Sequence, residues 1–150
     1  MELSRAKEEE LLMTGKTYDQ IHIGDSAEFS KTFSEADIYL YAGISGDFNP
    51  AHINEAYARK TYFKTRIAHG MLSAGLISAV IGTQLPGPGS IYMQQTLSFL
   101  APVYMGDTVT ARVEVMEKID KKKVRLKTTC LNQDVVIVLE GEALVSPPRP

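Results

Sequence analysis

From Ile67 to Gly106 the chain carries no Lys, Arg, Asp or Glu, 40 residues in a row without formal charge. The first part, Ile67 to Leu85, is long enough for a membrane helix by length alone. It also holds His69, Gly70, Ser73, Gly75, Ser78, Gly82, Thr83 and Gln84, and Pro86-Gly87-Pro88-Gly89 stops it sharply. Small and polar residues at that density, ended by strong breakers, predict a helix buried inside a folded domain, apolar on most sides, over about Gly70 to Gln84.

The rest of the chain supplies what such a helix needs around it. Ile91–Phe99, Thr108–Glu117, Val124–Asn132 and Val135–Val145 are rich in β-branched residues and read as strands. In the second, Val109, Ala111, Val113 and Val115 alternate with Thr110, Arg112 and Glu114, the pattern of a half-buried strand. Asp120-Lys121-Lys122-Lys123 and Asn132-Gln133-Asp134 are turns between strands. Upstream, Ala27–Phe33 reads as a strand. Ser34-Glu35-Ala36-Asp37 has capping-box spacing and opens a helix that sends Ile38, Leu40, Tyr41 and Ile44 toward a core. A further short helix is expected around Asn54–Lys60. One early strand, then helices, then a run of strands predicts an α+β fold: an antiparallel meander with helices on one face. The 150 residues make one domain over 16–150, preceded by a charged, helical or frayed extension over 1–15, and Ser146–Pro150 forms an extended, loose tail. A curved sheet around one helix leaves an edge strand exposed, and a second copy of the chain is the plainest way to cover it, so a homodimer is expected.

Composition narrows the function classes. Hydrophobic residues are 44% and charged residues 23%, with a net charge of −2. No strongly basic face is indicated, so nucleic acid is not an expected partner. The single cysteine, Cys130, has no partner for an intramolecular disulfide and fits a reducing compartment. Met1–Glu10 holds Arg5, Lys7 and three consecutive glutamates without an apolar core, so no secretory signal is read there. The expectation is a cytoplasmic protein that does not enter a membrane.

Chemistry-bearing residues are few. His22, His52 and His69 are the only histidines, and none shows zinc-site spacing. Gly-rich dinucleotide and phosphate-loop motifs are absent, and so is Gly-x-Ser-x-Gly. What remains is Ser45-Gly46-Asp47-Phe48-Asn49-Pro50-Ala51-His52, which sets a carboxylate and an imidazole five residues apart across a stiff turn. Such a pair can share one water and move protons near neutral pH, since an ordinary histidine titrates at about 6.5. The plainer reading is an Asx turn at Asp47 and a helix cap at His52. Ala68-His69-Gly70-Met71 opens the uncharged helix, where free N–H groups attract negative charge and glycine lets a ligand approach. Its plainer reading is a tightly packed helix start with His69 as a satisfied partner. Ser73 and Ser78 either face a site or bond to the backbone four residues back. Arg59, Lys60, Lys64 and Arg66 crowd eight residues without an acid, as a pocket mouth for phosphates or as a solvated face.

Tyr41-Ala-Gly-Ile-Ser-Gly-Asp-Phe-Asn-Pro-Ala-His52, followed by Arg66-Ile-Ala-His-Gly-Met71, resembles the MaoC-like (R)-specific enoyl-CoA hydratases. Ser98-Phe99, Pro102-Val103 and Gly106-Asp107 extend the likeness, which covers about residues 17–146. The resemblance implies a hot-dog fold, with an antiparallel sheet wrapped around the long helix, and a homodimer with sites near the subunit interface. It implies that Asp47 and His52 are the catalytic pair and that the Gly70 N–H binds the thioester oxygen. Ser78 would line the site, and Ile81 and Leu144 would shape the acyl pocket. Lys64 and Arg66 are candidates for the CoA phosphates. The implied reaction is syn hydration of a trans-2-enoyl-CoA to an (R)-3-hydroxyacyl-CoA, with no metal or organic cofactor and CoA arriving as part of the substrate. The rivals are a hot-dog thioesterase, a non-catalytic acyl-thioester-binding module, and a domain dedicated to carrier-protein substrates.

Overall fold

The computed structural model describes residues 5–7, 9 and 14–150. Of the expected extension over 1–15, residues 5–7 and 9 are helical and exposed, and residues 1–4, 8 and 10–13 lie outside the described residues. Its last residue belongs to the folded unit: Gly15 N–H donates to Pro88 O at 2.9 Å and Lys16 N–H to Pro86 O at 2.7 Å. A Cβ at position 15 would lie 2.5 Å from Pro86 O, so only glycine lets the chain pass here.

After a 3-10 turn at Tyr18–Gln20, the elements run in this order. Strand β1 (Ser26–Thr32) is followed by α1 (Glu35–Ser45), α2 (Pro50–Ile53), α3 (Glu55–Ala58) and α4 (Gly70–Thr83). Then come β2 (Ile91–Gln95), β3 (Ser98–Phe99), β4 (Thr108–Ile119), β5 (Lys123–Leu131) and β6 (Ile137–Ser146). One antiparallel sheet has the order β1-β4-β5-β6-β2, with β3 also paired to β6. This is the expected α+β hot-dog arrangement. Leu76, Ile77, Val80 and Ile81 of α4 pack on Val109, Ala111, Val113 and Val115 of β4, with Val124 and Leu126 of β5 and Ala143 and Val145 of β6 closing the core. Fully burying each of these Val, Leu or Ile side chains stabilises by about 1.5–3 kcal/mol.

The uncharged helix ends one residue before its expected end. No helix among the described residues is long and apolar enough to cross a membrane. Its burial is one-sided: Ser73, Leu76, Ile77, Val80 and Ile81 face the sheet, while Met71, Gly75, Ser78 and Gly82 are exposed.

Other expectations shift. The capping box at Ser34 is present: its Oγ accepts from Asp37 N–H at 3.2 Å, and its own N–H donates to Asp37 Oδ2 at 2.9 Å. Yet α1 buries only Ile38 and Ala42, while Leu40 and Ile44 point outward. The strand expected over Ile91–Phe99 is two strands, β2 and β3. At the break, Thr96 N–H donates to Glu142 O and Thr96 O sits 1.8 Å from where a Cβ on Gly141 would be. The last strand begins at Ile137 rather than Val135. Val135 has φ 61 and belongs to a turn in which Asn132 Oδ1 accepts from Asp134 and Val136 N–H. The C-terminal tail is not wholly loose, because Pro147 is buried.

Candidate active site

Four short-range hydrogen bonds shape the loop after α1. Gly46 ends the helix in the left-handed region at φ 78, a conformation that suits glycine. Ser45 Oγ donates to Tyr41 O at 2.7 Å and accepts from Asp47 N–H at 3.1 Å. Asp47 Oδ1 then accepts from Asn49 N–H at 3.1 Å, and Asn49 Oδ1 accepts from Ala51 N–H at 3.0 Å, capping α2 with Pro50 in its first turn. The Asx turn of the plainer reading therefore exists, but Asn49 is the cap, not His52. The turn does not exclude a functional Asp47. It fixes where the carboxylate points.

His52, 7% exposed, lies in the single turn of α2. Its Nδ1 is 2.7 Å from Ile67 O. A carbonyl only accepts, so Nδ1 carries the hydrogen and Nε2 is left with a free lone pair. Ile67 is itself held, its N–H donating to Ala51 O, and the neighbouring Ala68 N–H donates to Val103 O at 2.7 Å. His69, 2% exposed, precedes α4. Its Nε2 lies 3.0 Å from Asp47 O and by the same logic donates to it. The His69 ring stacks on His52 at 3.8 Å between centroids and meets Tyr41 at 4.7 Å. Ligating atoms of Asp47, His52 and His69 all lie within 4.8 Å of one another. Burial, above all, pushes the His52 pKa below its ordinary value. The bond to Ile67 and the Asp47 charge oppose that, and His69 adds to it.

The cluster does not suit a metal ion. The two rings stack at an interplanar angle of 30°, so their in-plane lone pairs do not converge on a point about 2.0–2.1 Å from both nitrogens.

Gly70 begins α4, and the first N–H groups of a helix have no partner inside it. A Cβ at position 70 would lie 2.6 Å from the Phe99 ring, so the ring as it stands packs directly over a glycine. Asp47, His52, His69 and Gly70 open on one cavity of about 550 Å³. Its walls are Tyr62, Phe63, Ile67, Met71 and Ser73 together with Phe99–Val103, Val138 and Leu139. Few of the apolar walls were legible beforehand, since Phe99–Val103 and Val138–Leu139 reach the site only through strand pairing.

Not every expected residue reaches this cavity. Ser78 lies on the exposed face of α4, two turns beyond Met71. Ile81 is 1% exposed, packed in the core and not on the cavity wall. Leu144 pairs with Arg125 and Gln94 on the face of the sheet opposite Ala143 and Val145, so the pleat turns it away from α4. Lys64 is exposed beside Tyr62 and Phe63. Arg66 is only 11% exposed and serves the scaffold: its guanidinium pairs with Glu35 at 3.0 Å and Glu55 at 3.5 Å, and donates to Tyr39 Oη at 2.9 Å. Ser73 Oγ is buried without a partner, contrary to the back-bonded expectation for it.

The model of the MaoC like domain matches residues 19–136. The chain belongs to the MaoC-like domain family. Among MaoC-like relatives, the (R)-specific enoyl-CoA hydratase of Rhodospirillum rubrum is 59% identical over 132 residues, 87% of this chain and 91% of that protein. The 3-hydroxybutyryl-CoA dehydratase of Methylorubrum extorquens is 49% identical over 133 residues, 88% of this chain and 84% of that one. The solved structure of an R-hydratase from Pseudomonas aeruginosa in the unliganded form superposes with a TM-score of 0.87 at 47% identity, covering 91% of this chain and 88% of that one.

Proposed function

We propose that this MaoC-like chain catalyses the reversible syn hydration of a trans-2-enoyl-CoA to an (R)-3-hydroxyacyl-CoA. The carrying observation is the Asp47 carboxylate and the His52 imidazole converging on one cavity beside the N-terminus of α4. Two acceptors within 4.8 Å can both bond to one water at about 2.8 Å each. The bare His52 Nε2 and the Asp47 carboxylate each accept one hydrogen of that water, which aims its oxygen at the substrate's β-carbon. One proton passes to the pair as the hydroxyl adds, and a proton from the pair reaches the α-carbon on the same face. The negative charge that develops on the thioester oxygen is met by the Gly70 N–H. Which of the two side chains delivers to the α-carbon is open to isotope and pH-rate experiments.

The names of the relatives support the substrate class, and the apolar walls suit an acyl chain. The reaction as written draws on no metal or organic cofactor, and CoA enters with the substrate. Lys64 stands at the cavity's outer loop as a partner for CoA phosphates. The protein acts as a homodimer in the cytoplasm: Ile91, Tyr92 and Met93 on the edge strand β2 are exposed, as is the uncharged outer face of α4, and Cys130 is a free, buried thiol. Ser78 on that outer face would then lie at the subunit boundary.

The test follows the conjugated-enoyl absorbance and free thiol together with crotonyl-CoA and a series of longer enoyl-CoAs. Absorbance loss without thiol release supports hydration. Thiol release points to a thioesterase, and silence across the series with both CoA and carrier-protein substrates sinks the catalytic reading.

A further inference from the structure

Two features of His69 are unexplained by the reaction as written. It is among the most buried side chains of the described residues, yet it lies beside the two proton-handling residues rather than in the apolar core. It also touches both at once. Its Nε2–H grips the Asp47 carbonyl at 3.0 Å, and its ring lies 3.8 Å from the His52 ring. The loop bearing Asp47 and the short α2 bearing His52 have no other common partner of this kind among the described residues. The loop bearing Asp47 is shaped by local turns, which fix its conformation but not its distance from α4, whereas α2 is also held to the segment before α4 by the Ala51 and His52 bonds to Ile67. His69 ties both to the start of that helix, and so to the Gly70 N–H.

We propose that His69 is a positioning residue: its bond to the Asp47 carbonyl and its stacking on His52 hold carboxylate and imidazole at the separation one water can bridge. The proposal rests on reading Asp47 and His52 as the proton-handling pair of a hydratase. Tyr41 backs the arrangement from α1, with its ring 4.7 Å from that of His69. The titratable groups facing His52 are Asp47 from the loop before α2 and His69 from the start of α4, with the Ile67 carbonyl on its Nδ1 side. Two stacked imidazoles are poorly placed to carry protons together, so the His69 ring works with burial to keep His52 neutral with a free Nε2.

Three variants separate the contacts. His69→Phe keeps a ring against His52 and loses the bond. His69→Gln keeps a donor for the Asp47 carbonyl and loses the ring. His69→Ala loses both. The expected result for His69→Ala is a kcat lower by about a hundredfold with KM nearly unchanged, the scale of a reacting group displaced by about 1 Å. The Gln and Phe variants fall between. An NMR titration of the ring protons needs no turnover, so it stands even if the hydratase assay fails. It should show His52 titrating at higher pH in all three variants than in the parent. A folded His69→Ala protein with parental kcat overturns the proposal. So does a His52 titration unchanged in every variant, or the collapse of all three folds, which would assign His69 to the scaffold alone.

Discussion

Asp47 uses one carboxylate oxygen to accept the Asn49 N–H, and that bond is part of the turn. Asparagine keeps a carbonyl oxygen in the same place but cannot take a proton. Asp47→Asn should therefore leave the melting temperature nearly unchanged while kcat falls by about 10²–10⁴-fold, the range for loss of a general acid or base. Calorimetry beside the absorbance assay checks both halves. His52 sets the pH dependence. Its folded pKa lies below the ordinary value of about 6.5, with burial as the main cause. Between those two values the unfolded chain binds a proton that the folded chain does not, so stability is full above about 6.5 and is lost as pH falls toward the folded value. The free base also persists further into acid, so the acid limb of kcat/KM should lie below about 6.5. A pH–rate profile with its acid limb above that point would contradict the assignment, and His52→Gln should abolish the limb.

The start of α4 is the element on which the site depends most. Gly70→Ala would drive a methyl group to 2.6 Å from the Phe99 ring, so the ring, or failing that β3 or the helix start, must move. Overpacking of this kind costs about 1–3 kcal/mol. Activity should fall, and Phe99→Leu in the same chain should restore part of it, as measured by kcat and thermal melts of the single and double variants. This element was the most legible in the sequence, because forty uncharged residues with a Pro-Gly stop leave few options. The Asp47–His52 turn was legible for a related reason, since the residues that fix its geometry are adjacent in the chain. The outward face of α1 was not. Leu40 and Ile44 have core-like chemistry, and nothing local says that the buried side is that of Ile38 and Ala42. The split between β2 and β3 was hidden too, because it depends on the missing side chain of Gly141, far along the chain. Arg66 looked like a phosphate ligand because its partners, Glu35 and Glu55, are separated from it in sequence.

For the molecule as a whole, the exposed side of α4 is the informative surface. A Cβ at Gly75 would meet nothing within 4 Å in the single chain. Alanine is favoured over glycine inside a helix by about 0.8–1.0 kcal/mol. Gly75→Ala should therefore stabilise a lone chain, and should weaken a homodimer in which a partner lies on this face. Sedimentation and melting across a range of protein concentrations distinguish the two, and a monomeric parent protein would remove the dimer from the proposal. The cavity itself has a divided origin. Its chemical groups come from one stretch of chain, 47 to 70, whereas most of the apolar surface facing them comes from 99–103 and 138–139, on β3, the loop after it and β6 in the other half. Substitutions in the two regions are therefore separable over evolutionary time. The strand half can drift to admit longer, shorter or branched chains while the proton-transfer apparatus stays fixed, so a lineage built on this plan can diversify its diet without reinventing its reaction.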